Sequence, residues 1–204
     1  IAKVPSLADL YDEMENSEDN LTEEIIAELN DIESLKDQLE NPELKMLKSD
    51  EMNWDEKQSL KSSINQSKKE IEKLEKIAEA IKSITEQAEK HKLLSPKMLE
   101  KFKELSRLVN EIMPKDMMNN IDDLEMALEN MDMDSIQDAL SQLSEDMEKI
   151  EKDLDRYLEI FKRFQAEQKL DEIQNRLQNL IEQQGALDNE IDRVNWGDAS
   201  AKTI

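Results

Sequence analysis

The sequence predicts an all-α protein, an elongated antiparallel bundle of coiled-coil hairpins with about five helices, the last of them the longest. Apolar residues recur at alternating spacings of four and three through most of the 204 residues. The chain contains only 2 Gly and 4 Pro, too few for the many turns of a β architecture. An intermolecular coiled coil has the same spacing and is the alternative architecture.

The first helix is predicted over residues 7–40, with Ser6 as its N-cap after the extended Val4-Pro5 pair. Asn41-Pro42 is expected to end it, because proline disrupts a helix interior. Its apolar face begins weakly and becomes regular in the second half, at Leu21, Ile25, Leu29, Ile32, Leu35 and Leu39.

Three further helix starts are predicted from capping residues and prolines. Asn53 with Glu56 three positions later is a capping-box variant and begins the second helix. Ser95-Pro96 begins the third, and Pro114 interrupts it and opens the fourth. The second helix places small residues on its apolar face, which predicts a closely packed neighbour: Ser67, Ala78, Thr85 and Ala88.

The fifth helix, which Asp132 can cap, carries the strongest signal in the chain. We call its apolar face the long seam: Ile136, Leu140, Leu143, Met147, Ile150, Leu154, Tyr157, Phe161 and Phe164.

Beyond Phe164 the period shifts by three residues, through Glu167 to Leu170, and continues at Ile173, Leu177 and Leu180. This seam shift indicates either a stammer or a change of partner helix.

A single elongated helical domain is therefore predicted over residues 1–190, with Gly185 ending or loosening the helix and a flexible tail over 191–204. Trp196 in that tail is a candidate for contact with another molecule. The chain begins with Ile1 rather than Met, so we expect a fragment of a larger protein.

The formal net charge of -23 argues against nucleic-acid binding as the function, since phosphate binding requires a positive surface. Residues 57–103 are the exception, with twelve lysines and seven acids between two acidic segments. They are either a solvated face or a basic segment that lies between acidic ones and helps to select antiparallel partners. No stretch is apolar enough for a membrane span, although the parent protein could be membrane-anchored.

No motif predicts catalysis, a cofactor or a metal. His91 is the only His and there is no Cys, which excludes the usual zinc ligand sets. Asp132, Asp134 and Asp138 resemble the start of a calcium loop but lack its Gly and its final Glu, and the dipole of a helix start explains them better. Paired carboxylates such as Glu23-Glu24 have no predicted pocket around them. We therefore expect the protein not to be an enzyme.

Methionines are concentrated in and beside the fourth helix, including Met117, Met118 and Met133. Core packing accounts for those on the apolar face, whereas exposed ones would form an adaptable client-binding surface. Trp54, at the start of the second helix, is expected to pack against the bundle end.

Four segments contain residues that a heptad pattern alone does not specify: Val4-Pro5-Ser6-Leu7, Asn53-Trp54-Asp55-Glu56, Leu93-Leu94-Ser95-Pro96 and Phe161-Lys162-Arg163-Phe164. With them, residues 4–185 resemble the helical region of a bacterial envelope protein family catalogued as domain of unknown function 4175. The resemblance implies an internal piece of a large membrane-anchored protein, on the periplasmic side of the inner membrane. It implies no established activity and no catalytic residues.

Regular apolar faces without a chemical motif predict a structural or protein-interaction module: a spacer, tether or scaffold. It would act through a protein partner or through self-association. A holdase-like protein that binds clients on exposed Met and Leu faces is the alternative function.

Overall fold

The computed structural model describes residues 5–46 and 52–201. Within these ranges the chain forms five helices: α1 (Leu7–Met46), α2 (Trp54–His91), α3 (Pro96–Val109), α4 (Met117–Asn130) and α5 (Met133–Ala201). The described residues contain no strand. The predicted all-α helical bundle is therefore confirmed, and α5, with 69 residues, is the longest helix.

The chain divides into two compact units, Ile1–Phe164 and Gln165–Ile204. The sequence predicted one domain over 1–190, but the division falls after Phe164, at the predicted seam shift. Helix α5 thus contributes residues 133–164 to the first unit and residues 165–201 to the second.

The predicted caps begin their helices as expected. The Asn53 side chain accepts a hydrogen bond from the Glu56 amide at 3.0 Å, and the Glu56 carboxylate accepts one from the Asn53 amide at the same distance. The Ser95 hydroxyl caps α3, with Pro96 as its first residue. At the start of α5, Asp132 accepts a hydrogen bond from the Ser135 amide at 3.3 Å.

Two predicted helix ends, those of α1 and α5, differ from the structure. Helix α1 continues through Pro42 to Met46. A proline this close to the C-terminal end removes only one hydrogen bond of the last turns. Helix α5 continues through Gly185, where an added Cβ would meet no atom within 4 Å. It also includes positions 191–201 of the predicted tail, and residues 202–204 lie outside the described ranges.

In the first unit, α2 packs against α1, α3 and α4. Helices α3 and α4 follow one another along α2 and run antiparallel to it. The order of the contacts shows this: Glu89 near the end of α2 pairs with Lys103 of α3, whereas Lys68 nearer its start pairs with Glu125 of α4. The segment around Pro114 separates two helices that share one position in the bundle.

The first part of α5 runs antiparallel to this α3–α4 pair. Phe102 of α3 stacks on Phe164, with ring centroids 4.8 Å apart, and Asn120 of α4 donates a hydrogen bond to Asp146 at 2.7 Å. Lys36 of α1 pairs with Glu151 of α5 at 2.5 Å. The four helical positions of the first unit therefore form a closed bundle.

All nine residues of the long seam are buried. Its last three residues, Tyr157, Phe161 and Phe164, join Phe102 in a ring cluster. Apolar burial along this seam is the main stabilising contribution that α5 makes to the bundle.

Helix α2 buries more than one face because it has three neighbours. Two of its buried polar side chains bond to their own helix: Ser67 donates to the Ser63 carbonyl at 2.9 Å, and Thr85 donates to the Ile81 carbonyl at 2.7 Å. These bonds satisfy the hydroxyls locally, so small polar residues occupy the interface without an unpaired donor.

The lysines of α2 face acidic neighbours, as the second interpretation of residues 57–103 requires. Lys73 pairs with Asp31 of α1 at 2.6 Å, and Lys68 pairs with Glu125 of α4 at 2.7 Å. Each exposed pair contributes little stability by itself. Lysine–carboxylate pairing across both interfaces nevertheless favours the placement of α2, which has eight lysines and eight acids, between acidic α1 and α4.

Trp54 was expected to seal the bundle end, and this was wrong. Its side chain is 75% exposed at the first position of α2. The capping box and the partly buried Met52 hold this helix start, and the indole lies in solvent. Among the described helices, none has an apolar stretch long enough to cross a bilayer.

Replacing Phe161 with Ala is expected to lower the free energy of unfolding by about 3–5 kcal/mol, because it removes the centre of a fully buried ring cluster. Met126→Ala is the control, since Met126 is mostly exposed and its loss should change stability by no more than about 0.5 kcal/mol. Chemical denaturation measures both. Equal effects of the two substitutions would contradict the assigned core.

Candidate functional site

The predicted methionine sites are divided between core and surface. Met117 is buried in α4, and Met133 is partly buried against the same core. Met118 is exposed, as are Met126 and Met131. The structure therefore assigns Met117 and Met133 to packing and leaves the other three at the surface of the first unit.

A buried carboxyl pair lies between α1 and α2. Glu28 and Glu70 are only 2% and 3% exposed. Lys73 lies beside both, with its Nζ 2.5 Å from Glu70 Oε2 and 3.7 Å from Glu28 Oε2, and it also donates a hydrogen bond to Asp31 at 2.6 Å. Within the described ranges, one lysine thus compensates three carboxyl groups, two of them buried.

This arrangement changes the proton affinity of Glu28. Burial, and then the nearby charge of Glu70, raise its pKa from 4.5 to about 8. Near neutral pH Glu28 is therefore mostly protonated and can donate a hydrogen bond to Glu70. Partial burial acts to lower the pKa of Lys73, but its hydrogen bonds to Asp31 and Glu70 outweigh this and raise it.

Glu28, Asp31 and Glu70 also place three carboxylate oxygens within 4.8 Å of one another. A divalent cation could accept such ligands. Here the ammonium of Lys73 already occupies the position among them, and protonation of Glu28 reduces the negative charge further. The cluster is therefore best described as structural, with its negative charge largely compensated by Lys73 and by the proton on Glu28.

A second polar group is buried where α3 meets α5 in the first unit. The Tyr157 hydroxyl has no hydrogen-bond partner among the described residues, and burial raises its pKa. It borders a cleft of about 220 Å³ whose lining is half apolar, from Leu108, Ile112 and Ile160, and half charged, from Glu111, Asp153 and Arg156. This volume is below the roughly 300–1,000 Å³ of small-molecule sites, and is suited to a few waters.

The second unit presents a different surface. Beyond the seam shift, the seven large apolar side chains of α5 that the structure describes are between 54% and 67% exposed. We call six of them the exposed stripe: Leu170, Ile173, Leu177, Leu180, Leu187 and Ile191.

The exposed stripe follows a heptad register. Leu170, Leu177 and Ile191 occupy position a, and Ile173, Leu180 and Leu187 occupy position d, with Gln184 at the remaining a position. Residues at these positions share one face of a helix. In the folded chain this face has the pattern of a coiled-coil seam and remains in solvent.

The predicted seam-shift residues thus mark a change in burial. Phe164 is buried, whereas Glu167 and Leu170 are exposed. The shift was interpreted as either a stammer or a change of partner helix. For the second interpretation, the described residues provide no new partner helix. Trp196 falls within the helical bounds of α5, and its side chain lies outside what the structure describes.

Sequence reasoning did not single out Glu28 and Glu70. A signal was present in α1, where the buried residues Leu21, Ile25, Ile32 and Leu35 are spaced by four and three only if Glu28 occupies the position between them. The apolar neighbour Leu29 was assigned to the face instead. A glutamate at a seam position is the pattern that reveals a buried carboxyl group.

Comparison with known proteins adds no identification: no family model, no curated protein and no solved structure matches this chain.

Replacing Glu28 with Gln should stabilise the protein most at alkaline pH. The raised pKa means that the contribution of Glu28 is fully favourable below about pH 4.5 and is lost as the pH rises to about 8. A neutral amide removes this dependence, and we expect a gain of about 3 kcal/mol at pH 9 and little change at pH 5.

The control for this measurement is Glu24→Gln on the exposed face of α1. Unfolding free energies measured from pH 5 to pH 9 should give parallel curves for the control and the unchanged protein. A Glu28→Gln curve parallel to both would show that Glu28 is ionised across the range, contrary to its burial beside Glu70.

Proposed function

We propose that this chain is a non-enzymatic helical module that acts as a spacer, tether or scaffold and binds a protein partner along α5. The exposed stripe is the observation that carries this proposal. The first unit buries its long seam completely, whereas the second unit continues the same type of seam with no described helix against it.

The size of the stripe supports a binding role. Complete burial of a Leu or Ile side chain contributes about 1.5–3 kcal/mol, so covering six half-exposed ones would contribute on the order of 5–10 kcal/mol. Single exposed leucines are common on protein surfaces, but a contiguous apolar row of this length is typical of an interaction surface.

We place this function in the bacterial cell envelope, on the periplasmic side, with the parent protein anchored in the inner membrane. The support for this location is the resemblance of residues 4–185 to the envelope family described above.

Client binding in the manner of a holdase is the second candidate function. Met118, Met126 and Met131 favour it, because flexible thioether side chains at a surface adapt to varied apolar partners. They lie on the first unit and are separate in sequence from the exposed stripe, so the two candidates predict different contact positions.

Site-specific photocrosslinking in the source cells distinguishes them. A photoreactive amino acid at position 177, on the exposed stripe, is expected to form a discrete adduct that remains with the envelope fraction. The same group at position 152, an exposed position of α5 in the first unit, should give little adduct.

A heterogeneous set of adducts from position 126, with none from position 177, would favour client binding over the tether or scaffold. Equal adduct formation at positions 177 and 152 would contradict a specific role for the stripe.

A further inference from the structure

We infer that the partner of the exposed stripe is the same stripe of a second copy, and that the two helices pair antiparallel as a coiled coil. This inference rests on the proposed function, which it deepens by naming the partner. It follows from the register, the flanking charges and the position of Ile181.

The register is suited to pairing with itself. Residues 170–191 span about 32 Å of helix, with apolar residues at five of the six a and d positions before Ile191. In an antiparallel pair each a residue meets a d residue of the other helix, so Leu177 would pack against the partner copy's Leu187, and Ile173 against its Ile191. The same register places Leu180 beside the partner copy's Gln184, so the two central layers each contain one glutamine and the flanking layers are apolar.

The charges beside the stripe permit two identical copies to approach. Acidic residues are 50 of the 204, yet positions a, d, e and g between Leu170 and Ile191 contain only two, Asp188 at e and Glu190 at g. The other acids of this segment, Asp171, Glu172 and Glu182, occupy positions b, c and f, away from the pairing face. In the antiparallel register position 190 lies opposite Arg176 and position 188 opposite Gln174, so like charges, which would oppose self-association, do not face each other.

Ile181 indicates the direction of pairing. It occupies position e beside the stripe and is 63% exposed. In a parallel pair position e faces position g, and every g residue between 169 and 190 is polar. In an antiparallel pair position e faces e of the other copy, and the register above places Ile181 beside its own symmetry mate.

The area is adequate for a weak to moderate dimer. The patch consists of the six stripe residues and Ile181. A side chain of this size has roughly 100 Å² of apolar surface, of which about 60% is exposed here, so the patch is about 400 Å² per helix. Standard interfaces bury about 800 Å² per partner, and the stems of flanking polar side chains would supply part of the remainder.

Light scattering of the whole chain over a range of concentrations tests the inference. We expect a concentration-dependent mass approaching twice 23.8 kDa. Leu177→Glu, which puts a charge in the core layers, should raise the dissociation constant by about 100-fold or more. The matched control is Gln178→Glu, at the adjacent position b, which should leave the dimer intact. Circular dichroism at a concentration at which all three proteins are monomeric should show equal helix content.

Thiol crosslinking tests the direction. The chain has no cysteine, so Ile181→Cys and Leu170→Cys each introduce a single thiol. A short bis-maleimide should link the copies through position 181 and not through position 170, which lies far from its equivalent in an antiparallel pair. Efficient linkage through position 170 would show parallel pairing and overturn the assigned direction.

A monomer at every concentration, or a dimer that Leu177→Glu leaves unchanged, would overturn the inference. The proposed function is tested by a different result. It survives a monomeric result if position 177 still forms a discrete adduct with a different protein in cells, and it fails with the inference if position 177 forms none.

Discussion

The structure depends on continuous apolar contact along the first part of α5. Every residue of the long seam is buried, and this part of the helix also contacts α1 through Glu151, α3 through Phe164 and α4 through Asp146. A straight helix holds such a seam against its neighbours only while the period is kept. The shift of three residues after Phe164 therefore coincides with the end of the first unit, and the apolar residues beyond it are in solvent.

Polar groups determine how the bundle is arranged more than how stable it is. Helix α2 lies between acidic α1 and α4, and its lysines pair across both interfaces. The buried pair of Glu28 and Glu70, with one lysine between them, is the exception, because it costs stability when both carboxyls ionise. A protonated Glu28 resolves the conflict near neutral pH and makes the α1–α2 interface sensitive to alkaline conditions.

Much of the architecture followed from the sequence because its signals are local. Asn53, Ser95 and Asp132 cap helices through neighbouring amides, so their roles depend on only a few residues. The nine residues of the long seam were likewise identifiable from spacing alone. The predictions at Pro42 and Gly185 were wrong. Whether a proline or glycine ends a helix depends on its distance from the helix end and on the residues around it, and intrinsic helix propensity includes neither.

The candidate site was less predictable for a different reason. The spacing that identifies Leu170, Ile173 and Leu177 as a seam does not say whether another helix covers them. Glu28 was overlooked because charge suggests exposure, whereas only the fold places it opposite Glu70. Both questions concern distant parts of the chain or other molecules, and three-dimensional contacts are required to answer them.

Hydrogen exchange along α5, followed by mass spectrometry at low and high protein concentration, tests the division of this helix most directly. Amides of residues 136–164 should be strongly protected at both concentrations, because the first unit buries them by itself. Amides of residues 170–191 should exchange rapidly in dilute solution and become protected as concentration rises. Uniform protection along the whole helix, independent of concentration, would contradict an exposed stripe that another molecule covers.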